Sequence, residues 1–82
     1  MKNSERMKKI NKKSLVQLVD FIKTDLFDKV GNTFYKIQKK VESNEEIEIE
    51  LMELFIEDLK RNKNNLMTIE KYIGFKVETI IE

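Results

Sequence analysis

Almost nothing in this chain interrupts a helix. Proline is absent from its 82 residues, and glycine occurs only at Gly31 and Gly74. Proline removes a backbone donor and clashes with the preceding turn, and glycine costs a helix interior about 1 kcal/mol. With breakers this rare, long segments are left free to coil. The predicted fold is all-α, a bundle of four to five helices with the first and third long helices packed antiparallel.

Size then limits what can stabilise the bundle. A chain this short buries only roughly 60–65% of its extended surface and is marginally stable alone. Cysteine is absent, so disulfides and thiolate metal sites are excluded. Histidine is absent too, which removes the commonest general base, metal ligand and near-neutral pH switch. Oligomerisation or docking on a partner is the reinforcement left, as a homodimer or with another protein. There is no Gly-rich phosphate loop and no Ser or Thr nucleophile with a base beside it. The chain therefore reads as non-enzymatic, with no cofactor. The longest apolar run, Leu54-Phe55-Ile56, is too short to span a membrane. The basic N-terminus is followed by no apolar segment of signal-peptide type, so a cytoplasmic location is expected.

Charge is divided by position. Residues 1–40 carry eleven Lys/Arg against four Asp/Glu, and residues 41–82 carry five against eleven. Opposed charge of this kind steers association. Residues 1–13 read as a basic arm, in which only Met7 and Ile10 are apolar enough to pack, and residues 14–82 as one helical domain. Lys8, Lys9, Lys12 and Lys13 are either a solvated tail or a weak, non-specific contact for nucleic acid or an acidic partner.

Local signals place the elements. Ser14 and Gln17 have capping-box spacing, and Leu15, Leu18, Val19, Ile22, Leu26 and Val30 follow at helical spacing. Gly31 reads as the left-handed stop, with Lys29 at the negative end of the dipole. A short second helix over roughly 33–41, capped by Asn32 or Thr33, has Phe34, Ile37 and Val41 as its apolar edge. Tyr35, beside Lys36, Lys39 and Lys40, reads as core or rim packing in preference to a base-stacking platform. Ser43 and Glu46 repeat the capping-box spacing and open a third helix to about Arg61. Residues 46–51 also alternate with period two, a strand pattern, but Glu and Leu favour helix. Asn62–Asn65 is a polar turn, residues 66–73 a short helix, and Phe75–Ile81 a last element, helical or extended.

The third helix carries the candidate site. At 100° per residue its apolar side chains fill an arc of about 220°, far more than one core face requires. The excess is buried either by the other helices or by another molecule. Ile49, Met52 and Ile56 are the stripe that would meet a partner. Glu46, Glu50, Glu53 and Glu57 form a carboxylate ridge on the remaining face, either solvated or facing a basic partner.

Residues 66–82 resemble a helix-turn-helix, in which a short helix ends at a glycine turn and a recognition helix follows. Ile69, Ile73, Gly74, Phe75 and Ile80 occupy the apolar and turn positions. The resemblance implies a DNA-binding regulator, with Lys76 joining Lys8, Lys9, Lys12 and Lys13 as phosphate contacts. Glu70 stands where that family has a small residue, and Glu78 and Glu82 would face phosphate. In type, though with no motif, this small Lys/Ile/Asn/Glu-rich chain resembles the regulatory or inhibitor proteins of phages and plasmids. A protein-protein interaction module acting through the third helix is the leading reading.

Overall fold

The computed structural model describes residues 8–26 and 31–82. The expectations for residues 1–7, for Phe27–Val30 and for the Leu26 side chain lie outside them. Four α-helices succeed one another: α1 (Lys12–Phe21), α2 (Asn32–Glu42), α3 (Ile49–Lys60) and α4 (Lys63–Ile73). Helix α1 continues into a π-helical turn (Ile22–Leu26), and a single 3-10 turn (Val77–Ile80) comes after α4. The all-α expectation is met.

Helix α1 begins two residues before Ser14. Asn11 is its N-cap, and its side-chain oxygen accepts the Ser14 N–H at 3.1 Å. Ser14 is thus the capped residue and not the cap. Asn11 wins because the tertiary structure holds it from the other side. Its backbone N–H donates to Ile80 at 2.7 Å and its amide to the Glu82 carboxylate at 3.0 Å. The described part of the expected basic arm is accordingly tied down. Lys9 and Glu82 exchange two backbone hydrogen bonds, and Ile10 bridges Ile81 and packs against the core.

The Ile22 N–H is shared between the Leu18 and Val19 carbonyls, and the π-helical turn begins there. Gly31 does not adopt the left-handed conformation expected of a stop. Its φ is −82°, and it opens α2 as an N-cap without a side chain. Thr33, expected as a cap, instead donates its hydroxyl to Asp58 of α3 at 2.5 Å.

Asn44 does what Gly31 was expected to do, one helix later. With φ 57° it closes α2. Its N–H donates to Val41 and the Glu45 N–H to Lys40, at 3.1 and 2.8 Å, which satisfies two terminal carbonyls in a Schellman arrangement. Ser43 is used up as the α2 C-cap, so the expected Ser43/Glu46 capping box does not form. The chain leaves the helix through residues 45–48 and re-enters it at Ile49, with Glu48 at the N-cap making no side-chain hydrogen bond. Ile47 and Met52, both buried, occupy the two positions of a hydrophobic staple, which sets the start of α3 in place of the cap.

Helix α3 packs against α2 and α4, and α1 lies against α2, α4 and the 3-10 turn. The closest packing joins α2 to α3, and not the first helix to the third as expected. Leu15, Leu18, Ile22, Phe34, Ile37, Phe55, Ile69, Val77 and Ile80 meet in one core, with no polar side chain buried among the described residues. Each such apolar side chain contributes about 1.5–3 kcal/mol relative to exposure.

Helix α4 begins three residues before its predicted start, because Asn62 caps it by accepting the Asn65 N–H at 3.1 Å. It ends as predicted at Gly74, whose φ is 87°. The segment after Gly74 is not a recognition helix. Val77–Ile80 make one 3-10 turn whose Val77 and Ile80 side chains are buried, and Ile81 pairs with Ile10. The helix-turn-helix resemblance therefore does not extend to the structure past Gly74.

Candidate partner-binding surface

The stripe expected to meet a partner is divided by the fold. Met52 is fully buried and Ile56 is 7% exposed, both within the monomer, while Ile49 is half-buried. Helices α2 and α4 pack against α3, and most of its wide apolar arc is buried. No second molecule is required to bury Met52 or Ile56, and neither is available to one. The assignment of those two residues as contact residues is corrected accordingly.

The opposite edge of the arc is left uncovered. Leu54 is 54% exposed, and it lies among Glu50, Glu53 and Glu57, which line an open depression of about 450 Å³ with it. Glu50 precedes Leu54 by one helical turn and Glu57 comes one turn after it, so the leucine borders the carboxylate ridge. The ridge is shorter than expected. Glu46 is exposed but lies in the extended stretch before α3 and is not part of the helical row.

The middle member of the ridge is neutralised from within. Lys8 donates to the Glu53 carboxylate at 3.1 Å. Among the described residues, no ion pair reaches Glu50 or Glu57. Helix α3 thus presents an apolar side chain with two carboxylates that no described base pairs, one turn before and one turn after it.

The candidate phosphate contacts do not converge on a uniformly basic face. Lys8, Lys9 and Lys12 border a groove whose other wall is Glu46, Ile47, Glu48 and Ile49. Lys13 is exposed in the first turn of α1, and Lys76 lines neither that groove nor the neighbouring one, whose charged lining is Lys8, Glu53, Glu57, Lys60, Glu78 and Glu82. A polyanion meeting these lysines would meet glutamates beside them.

Two features escaped the sequence. Tyr72 is 71% exposed yet its ring stacks on Phe21 at 4.4 Å and 23°, which covers Phe21 from α4. Leu54 lies at the extreme edge of the apolar arc next to the glutamates, and that position was its only signal. One carboxyl among the described groups is clearly held below its ordinary value. Glu42 accepts a hydrogen bond from Gln38 first and from Lys23 second, at 3.1 and 3.3 Å, and both favour its charged form. Among the described residues, no three acidic side chains are grouped so as to hold a metal ion, and no helix is long and apolar enough to cross a membrane.

Comparison with known proteins gives no relative. No protein-family model, no curated protein and no solved structure matches the chain.

Proposed function

We propose that this chain is a non-enzymatic binding module, of the type of small regulator or inhibitor proteins, which acts by docking a basic protein surface on α3. Leu54 is the anchor, and Glu50, Glu53 and Glu57 form the charged surround. The observation that carries this reading is the half-exposed leucine beside a row of glutamates that the described bases only partly compensate. Like charges at i, i+3 and i+4 cost a helix roughly 0.2–0.5 kcal/mol per pair. An apolar anchor surrounded by charge has the anatomy of a small interface, with an energetic centre and a rim that sets partner and on-rate.

The ridge also argues for a different partner over a second copy. A two-fold dimer through this face would place the glutamates of one copy against those of the other. Supporting the non-nucleic-acid reading is the interleaving of acids with the lysines that would contact phosphate.

The test is site-specific photo-crosslinking from position 54 in the cells that make the protein, with the adducts read by mass spectrometry. The expected result is one basic protein adduct that disappears in the Glu50→Lys, Glu57→Lys double variant while the variant stays folded. No adduct, or an adduct indifferent to charge reversal, would refute the reading. Mass measurement in solution with and without duplex DNA, at low and high salt, separates it from DNA binding and self-association.

A further inference from the structure

A second candidate site lies between α1 and α4 and shares no residue with the Leu54 surface. Tyr72 of α4 stacks one ring face on Phe21, the last residue of α1. It is 71% exposed, so its other face stays open. Both rings border a depression of about 330 Å³ whose opposite wall is polar, formed by Gln17, Asp20, Thr24 and Asp25.

The π-helical turn accounts for that wall. Its i→i+5 bonding puts roughly 4.4 residues in a turn, so each residue rotates the chain by about 80° instead of 100°. In a regular helix Asp25 would stand about 140° round from Asp20. The slower rotation over Ile22–Leu26 reduces that to about 80°. Asp25 thereby lines the same depression as Asp20. Turns of this type occur frequently at functional sites.

Charge here is of one sign. Asp20 and Asp25 are exposed, and among the described residues no base lines the depression or pairs with either. Lys23, from the same turn, is drawn to Glu42 of α2 at 3.3 Å. Lys71 adjoins Tyr72 in sequence but leaves α4 about 100° away and is not in this wall. An aromatic ring beside two carboxylates favours a cation. A guanidinium suits the site better than an ammonium, because it is planar, weakly hydrated, stacks on rings and forks onto carboxylates. Gln17 and Thr24 offer it neutral acceptors. Free arginine would bring its own carboxylate toward the aspartates, whereas an arginine within a chain would not. We propose that this depression takes an arginine side chain of another protein, stacked on Tyr72 and held by Asp20 and Asp25.

The test is an NMR titration of the full chain with capped pentapeptides that carry one central Arg, Lys or citrulline between glycines. Citrulline keeps the shape of arginine without its charge. The Arg peptide is expected to bind with a Kd on the order of millimolar to tens of millimolar, to shift the Asp20, Thr24 and Tyr72 signals, and to have its δ-methylene protons moved upfield by the ring. The Lys peptide and free arginine should each bind more weakly, and citrulline should not saturate. Asp20→Asn with Asp25→Asn should weaken the Arg peptide roughly fivefold, and Tyr72→Leu roughly threefold, with the helical CD spectrum intact. The aspartates are exposed, so their variant decides the matter if Tyr72→Leu perturbs the packing over Phe21. No saturable shift at these residues, citrulline equal to arginine, free arginine tighter than the peptide, or unchanged affinity in the aspartate variant would each overturn the proposal. So would a doubled mass that Arg61→Gln abolishes, since the arginine would then come from a second copy.

Discussion

The carboxylate of Glu70 accepts the backbone N–H of Val77 at 2.9 Å. Glu70 stands where a helix-turn-helix has a small residue to let a second helix approach. Here the side chain reaches past Gly74 and takes up a donor of the 3-10 turn. One residue thus accounts both for the departure from the helix-turn-helix pattern and for the inward turn of the chain after α4.

Glu70→Ala should leave the part-buried Val77 N–H without its acceptor. Losing a hydrogen bond to a charged group costs about 1.5–3 kcal/mol. Urea denaturation should show a loss in that range, and Glu70→Gln, which keeps an acceptor, should recover part of it. A Glu70→Ala variant as stable as the parent would mean that the contact contributes nothing.

Met52→Asp with Ile56→Asp should unfold the monomer. Both side chains lie in the core, and a charge buried without a partner is costly enough to abolish a small domain. Met52→Ala alone should cost about 2–5 kcal/mol. Far-UV CD checks both. Survival of the helical spectrum in the double variant would return this stripe to the surface.

Leu54→Lys should change stability by no more than about 0.5 kcal/mol, as an exposed helical substitution does. The crosslinked partner expected at this position should be lost in the same variant. Thermal melting and capture, measured together, separate an anchor from an ordinary exposed leucine.

The two glycines should respond differently to alanine. Gly74 is left-handed at φ 87° with open space where a Cβ would go, so Gly74→Ala costs only the backbone strain, about 1–2 kcal/mol. Gly31 is at φ −82°, and its added Cβ would meet Asp58 Oδ2 at an ordinary 3.5 Å. Gly31→Ala should therefore stay within about 0.5 kcal/mol. Equal losses at both sites would contradict the assignment of conformations.

Glu42 should titrate below the ordinary glutamate value in a carbon-detected NMR series. Its folded value lies below the ordinary 4.5, chiefly through Gln38 and then Lys23. A lowered value makes the contribution fully present above the unfolded value and lost as pH falls through the folded one. Gln38→Ala should move the midpoint back up. Because the carboxylate is on the surface, overall stability should change little.

The helical content, the positions of the main helices and most of the core were legible in the sequence. Near-absence of breakers and 3.6-residue periodicity are local properties, and they act whatever the chain packs against. Leu15, Leu18, Phe34 and Ile37 were assigned to apolar faces on that basis and are buried. The Gly74 stop was legible for the same reason, since a left-handed residue is demanded by the end of a helix and not by its neighbours.

Boundaries and surfaces were decided by tertiary structure. Ser14 and Ser43 each had capping-box spacing, but Asn11 was held by Ile80 and Glu82 and Ser43 was used to finish α2. A capping motif specifies which bonds are available, and competing partners decide which form. The apolar arc of α3 stated how much had to be covered. Only the placement of α2 and α4 decided that Met52 would be covered and Leu54 left out. The bridge between Ile10 and Ile81 is further still from the sequence, because it exists only through pairing across the chain, between residues 9 and 82. Periodicity reports the faces of one element, whereas exposure depends on which elements meet, and that is settled by long-range packing.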